Sequence, residues 1–212
     1  MNKLMNSFIA LIVLTSFTFS QNFKVNVKGI QTFNFADDKG RNQTTFYSAT
    51  PLEDINGTAN GISGTVSFDP SNFAQTIKGK IVVAVNSLNT GINLRNHHLM
   101  TPNWLDEKKY PLITFEIKSV SDIKQLADNK LEFKVTGAFT LHGVTKEITA
   151  DAEATYLNEN EQTRKRAPGD LLGVRAKFTI KLSDYGVSNE LIGSKVAENI
   201  EIGVNIVGSN KI

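Results

Sequence analysis

Leu131-Glu-Phe-Lys-Val-Thr-Gly-Ala-Phe-Thr-Leu141 alternates apolar and polar side chains along its whole length. Leu131, Phe133, Val135, Gly137, Phe139 and Leu141 share one face, and Glu132, Lys134, Thr136, Ala138 and Thr140 share the other. A period of two means a β-strand with one dry and one wet face, the pattern of antiparallel sheets. At eleven residues the strand is far longer than the usual ~5–6. In an open sheet it would leave a long edge ready to pair with another chain. Closing the sheet on itself removes that edge.

The same alternation recurs on both sides of this stretch. Downstream it runs through Leu172, Val174, Ala176, Phe178, Ile180 and Leu182, and through Ile200, Ile202, Val204 and Ile206. Upstream it runs through Ile62, Gly64, Val66 and Phe68, then Ile77, Gly79, Ile81, Val83 and Val85, then Ile113, Phe115 and Ile117. Phe23, Val25 and Val27, then Phe33 and Phe35, then the surroundings of Phe46 are weaker strand candidates. Asp38-Lys39-Gly40 and Asn56-Gly57 read as turns between them. The expectation is an all-β fold, an antiparallel barrel of about eight strands with extra strands at its periphery.

One polar excursion interrupts the strands. Asn89-Thr90-Gly91 ends a strand, and a short helix then places Leu94 and His98 on one face at i, i+4. Thr101 and Pro102 have the form of a cap and first position for a second short helix presenting Trp104 and Leu105. Pro111 stops it and returns the chain to a strand.

Residues 1–20 carry one charge, Lys3, ahead of an apolar run too short to span a bilayer, and small residues precede Gln21. They read as a secretory signal peptide removed near Ser20/Gln21. Residues 21–212 are then one domain exported to the periplasm or beyond. The chain has no Cys, so its stability must come from its core rather than from disulfides. The net charge is +2, or +1 without Lys3, which is no footprint for nucleic acid. Arg164, Lys165 and Arg166 form one basic cluster, most simply a solvated loop, with attraction of anionic head groups as the lesser reading. No second apolar run suggests stable membrane insertion.

Side-chain size on the inner faces decides whether such a barrel is filled or hollow. The strand over residues 148–156 points Ile148, Ala150, Ala152, Ala154 and Tyr156 inward, with three consecutive Ala. Ala176, Gly64, Gly79 and Gly137 are read as removing more volume, while Phe115, Phe133, Phe139 and Phe178 line what remains. An apolar cavity follows, and an apolar lining calls for an apolar cargo. Each buried CH₂ contributes ~0.8 kcal/mol, so a chain of about sixteen carbons gains roughly 12 kcal/mol before immobilisation costs.

Three blocks resemble the YceI family. The first is Asn89-Thr90-Gly91 with Arg95-Asn96-His97-His98-Leu99, Trp104-Leu105-Asp106, Tyr110-Pro111 and Thr114-Phe115. The second runs Val135-Thr-Gly-Ala-Phe-Thr-Leu-His-Gly-Val-Thr-Lys146. The third joins Gly173-Val-Arg-Ala-Lys-Phe178 to Ser183-Asp-Tyr-Gly-Val187. The resemblance implies a lipocalin-like barrel with a long apolar tunnel, export to the bacterial periplasm, and binding of polyisoprenoids or similar amphiphiles. The chain lacks the Asp-x-x-His-Ser element many members carry near the N-terminus, and residues 29–50 are enlarged.

Arg95, His98 and Trp104 are the candidates for the mouth or the seam between helix and barrel. Arg95 is expected to pair with Asp106, with a ligand's anionic head as the alternative. His98 is expected to pack its ring on the barrel and hydrogen-bond a neighbour, and Trp104 either caps the mouth or fills the barrel end. His142, before Gly143, reads as a turn residue with a structural hydrogen bond. Three His and no Cys make neither a metal site nor a cofactor site. No nucleophile motif marks an enzyme. Two alternatives stay open: a lipid-modifying enzyme using His98, His142 and Asp106, or a solidly packed interaction module. An exposed edge or the enlarged residues 29–50 could support a homodimer, without a residue-level argument for one.

Overall fold

The computed structural model describes residues 21–211, so the apolar leader at residues 1–20 lies outside the described residues. The strands are β1 Gln31–Asn34, β2 Gln43–Ala49, β3 Asp54–Ala59, β4 Ile62–Phe68, β5 Lys78–Ala84, β6 Leu88–Asn89, β7 Leu112–Ala127, β8 Lys130–Leu141, β9 Val144–Leu157, β10 Leu171–Lys181 and β11 Asn199–Ser209. Three helices accompany them: α1 Phe73–Thr76, α2 Asn93–Leu99 and α3 Glu161–Arg164.

All the strand pairings are antiparallel, and the sheet runs β1-β4-β5-β7-β8-β9-β10-β11-β2-β3-β6 with an added pairing of β1 to β11. That added pairing closes eight strands into a barrel. Its longest walls are β7 to β11, with burial alternating most cleanly along β8 and the later part of β9. β11 serves two partners in succession. Residues 201–205 pair with β2, while Ser209 pairs with Asn34 of β1.

Between those pairings Val207, which meets Gly173 of β10 on one side, has no strand partner on the other, and Asn42 supplies one. Its amide nitrogen donates to the carbonyls of Phe35 (2.8 Å) and Val207 (3.0 Å), and its Oδ1 accepts from the Val207 N–H at 2.8 Å. Arg166 also donates to that oxygen, at 2.8 Å. Asn42 is buried, so these bonds satisfy backbone groups that water does not reach. Asp37 completes the seam with Arg41 and Arg166, each 3.1 Å away. Burial pushes the Asp37 carboxyl up, but hydrogen bonds from Arg41 and Lys39 and the Arg166 charge outweigh it, holding it well below 3.8.

The barrel has unlike ends. One is sealed by aromatic rings: Phe23, Phe33, Phe68, Phe73 and Tyr156 pack at centroid distances of 5.2–6.0 Å. Tyr156 donates its hydroxyl proton to Asp170 at 2.7 Å, and burial first, then that bond, raises its pKa. The segment at residues 21–30, expected in part as a strand, instead crosses this end and inserts Phe23. Lys24 N–H donates to the Asp128 carbonyl at 2.7 Å, and the Asn22 side chain accepts from Phe73 N–H at 2.9 Å. The other end carries α2, the turns at 101–110 and the segment at 182–198.

Three expectations need correction here. Asn56 and Gly57 lie inside β3 rather than in a turn, because the ring of Phe46 occupies the space where a Cβ on residue 57 would stand. Thr101 opens a run of turns rather than a second helix. Trp104 N–H and Asp106 N–H both return to the Thr101 carbonyl at 3.0 Å, and Asp106 takes φ 45°, which ends any helical path. The inner-face glycines do not hollow the barrel: Gly137 seats the ring of Phe115, and Gly64, at φ 114°, lets β4 approach the Lys80 carbonyl. The Arg164–Arg166 cluster lies beside the sealed end with Arg164 and Lys165 exposed, as a solvated stretch would be, while Arg164 meets Glu159 at 3.0 Å and Arg166 meets Asp37.

Asn42→Ala strands the Val207 N–H and two carbonyls, so chemical denaturation should show a loss of about 2–4 kcal/mol; a change below about 0.5 would contradict the seam's role. A carboxyl depressed by folding stabilises at pH above its ordinary 3.8 and loses that contribution as pH falls through its folded value. Stability should therefore drain away below about pH 4, and Asp37→Asn should flatten that acid limb. An unchanged limb in the variant would show that the acid sensitivity lies elsewhere.

Candidate functional site

The interior face of the barrel is set by register. Ala152 of β9 stands beside Phe133 of β8 and Ala176 of β10, and Ala176 stands beside Val204 of β11. Ala154 lies between Leu131 and Val174, and Ala150 faces Val135. These inward Ala side chains end one carbon from the backbone. Around them the wall does not meet itself across the axis, and a cavity of about 510 Å³ remains. That lies within the ~300–1,000 Å³ of ordinary small-molecule sites.

Carbon dominates the cavity wall. Phe115, Phe133, Phe139, Ala150, Ala152, Ala154, Ala176 and Phe178 all line it. Phe115 and Phe178 pack against both buried clusters, one toward each end of the barrel, so they mark the middle of the bore. Toward the sealed end it reaches Phe35, Phe68, Phe73 and Ile206; toward the other it reaches Leu141, Leu182, Val187 and Ile200.

The side chains with charge are confined to the open end. Glu53, Arg95 and Lys195 are the lining residues of that kind, with His98, Thr90 and Ser48 also in the lining. α2 carries Arg95 and His98, and the turn between β2 and β3 carries Glu53. Arg95 does not pair with Asp106; its guanidinium donates to the Glu53 carboxylate at 3.0 Å. Its side chain is about a quarter exposed, so the pair fixes α2 over the rim in partial contact with water. Asn96 holds the start of α2 by accepting from the N–H (2.7 Å) and hydroxyl (2.8 Å) of Thr90.

His98 lines the opening but is exposed and makes no side-chain hydrogen bond among the described residues, contrary to the packed ring expected from the sequence. Its carbonyl accepts from the Thr101 hydroxyl at 2.7 Å. Trp104 is half-buried, packs on the upper cluster with Leu105 and forms part of the lining. His142 and Asp106 are not in the lining. His142 takes φ 50° in the β8–β9 turn, sets its ring against Tyr110 at 4.7 Å and reaches the Tyr185 carbonyl with Nδ1 at 3.1 Å. Among the described residues no group of His, Cys, Asp and Glu is placed to hold a metal ion.

Glu53, Leu191 and Lys195 are among the residues of the site missed in the sequence. Glu53 lies 42 positions from Arg95, and no local pattern links them. Leu191 and Lys195 belong to an irregular segment without periodicity.

Comparison with known proteins agrees with this architecture. The YceI-like domain profile matches residues 35–208. Protein YceI of Salmonella agona (strain SL483) is 29% identical over 208 residues, covering 98% of this chain and 96% of its own. The crystal structure of Burkholderia cenocepacia BcnA superposes with a TM-score of 0.63 at 22% identity, over 81% of this chain and 99% of that one. A polyisoprenoid binding domain from Saccharophagus degradans, implicated in plant cell wall breakdown, superposes with a TM-score of 0.61 at 15% identity, over 86% and 99%. With its closed eight-strand ring and a profile match across nearly all of it, this chain belongs to the YceI-like domain family.

Proposed function

We propose that the protein is a carrier or sequestering protein that holds one long isoprenoid or fatty-acyl amphiphile in the barrel. The observation that carries this reading is the cavity itself, walled mostly by carbon along the bore and with charged side chains only at its mouth. A hydrocarbon chain gains ~0.8 kcal/mol for each CH₂ moved from water to such a wall, with no polar partner needed along its length. A polar ligand would leave its donors and acceptors unpaired there, at a cost of about 1–3 kcal/mol each. A related fold in Saccharophagus degradans is a polyisoprenoid binding domain, which supports the same class of ligand.

The polar groups at the mouth would face the head of the amphiphile. Arg95, already neutralised by Glu53, would orient that head while Trp104 and His98 flank it. A lipid-modifying reaction through His98, His142 and Asp106 has no support in the geometry, since only His98 borders the cavity. Export to the periplasm or beyond is part of the proposal and rests on the apolar run and small residues before Gln21. A mature protein whose N-terminal residue is Gln21 would support it, and a cytosolic chain with residues 1–20 intact would contradict it.

Ala152→Phe places a ring in the middle of the bore, between Phe133 and Ala176. A fluorescent sixteen-carbon fatty acid should bind this variant at least about tenfold more weakly, while thermal unfolding shows a folded barrel. Equal affinity in variant and parent would remove the cavity from the account.

A further inference from the structure

The rim of the mouth carries an unusual concentration of exposed apolar side chains. Ile92, Leu94 and Leu191 are 48%, 65% and 42% exposed, yet all three also line the cavity, so they stand where the interior reaches the surface. Leu52 is 78% exposed and immediately precedes Glu53, whose carboxylate is held by Arg95 of α2. Among the described residues, the other large exposed apolar ones, Ile30, Leu112, Leu126 and Leu157, stand singly near strand ends and do not border the cavity. A lone exposed Leu needs no explanation, whereas a cluster around an opening does.

The three segments that carry the rim are bound into one surface. The Glu53–Arg95 pair ties the β2–β3 turn to α2. The Ser48 hydroxyl accepts from the Ala197 N–H at 2.8 Å, tying β2 to the segment at 189–198. Asn189 donates to the Asn103 carbonyl at 3.1 Å, tying that segment to the turns after α2. The exposed side chains are therefore presented by a braced frame around one opening.

We infer that this rim is a docking surface for a lipid bilayer, into which Leu52, Ile92, Leu94 and Leu191 insert so that cargo passes between bilayer and bore without crossing water. The choice of occupant rests on the lipid-carrier reading, because a long-chain amphiphile resides in membranes. It rests equally on the continuity of the rim with the apolar interior: side chains that line the bore are the ones exposed at its edge. Charge contributes little. Arg95 is spent on Glu53, and Lys195 is accompanied in the same segments by Glu190 and Asp54. Apolar insertion therefore drives the contact, which should persist at high salt.

Co-sedimentation of residues 21–212 with phosphatidylcholine vesicles tests this, with binding of a fluorescent sixteen-carbon fatty acid measured separately in vesicle-free buffer. Leu52→Asp is the informative variant, because the side chain is exposed and does not line the cavity. The parent should partition onto vesicles in both low salt and about 0.5 M NaCl, and the variant should do so roughly tenfold more weakly with fatty-acid binding unchanged. A parent that stays in the supernatant, whether as monomer or as self-associated dimer, overturns the docking surface even if it binds the fatty acid. So does sedimentation that vanishes in salt, or that is the same in Leu52→Asp. Loss of fatty-acid binding by the parent would instead strike the carrier reading.

Discussion

A ring of strands hydrogen-bonded on both sides cannot contract to fill its own interior. An open sheet or a helix pair closes over small side chains, because its elements slide together until atoms touch. A closed barrel has its radius set by strand number and stagger. Three inward Ala on β9 and another on β10 therefore leave space rather than draw the walls in. The void, its carbon wall and the functional reading all descend from that geometric stiffness.

Closure in this chain depends on a strand that changes partners. β11 pairs with β2 over one stretch and with β1 at its end, and Asn42 bridges the gap with side-chain bonds in place of backbone ones. The same end is sealed by Phe23 and its aromatic neighbours. The opposite end lacks such a plug and is framed by irregular segments held by Glu53–Arg95, Ser48–Ala197 and Asn189–Asn103. The polarity of the molecule, one end shut and one end open, follows from this difference.

The barrel was legible because its walls obey a short-range rule. Alternation from Leu131 to Leu141 and from Leu172 to Leu182 needs only neighbouring residues to be read, and the Ala run of β9 was visible in the same way. What failed to show were contacts between distant residues. Arg95 finds Glu53 rather than Asp106, which is nearer in sequence, and Asn42 finds Val207, 165 positions along the chain. Phe23 lies in a segment that alternates like a strand but finds no ladder, so its ring became the lid of the sealed end. Gly57 and Gly137 misled for one reason. A glycine in a strand signals a turn or a hollow by itself, but here rings of Phe46 and Phe115 occupy the space it leaves.

The central claim is that the bore holds a lipid. Native mass spectrometry of the protein exported by its producing cell and purified without detergent or organic solvent addresses it directly. The account predicts a species heavier than the bare polypeptide by the mass of one long-chain lipid, and organic extraction should release that mass. A bare polypeptide that also takes up no long-chain lipid when one is supplied would contradict it.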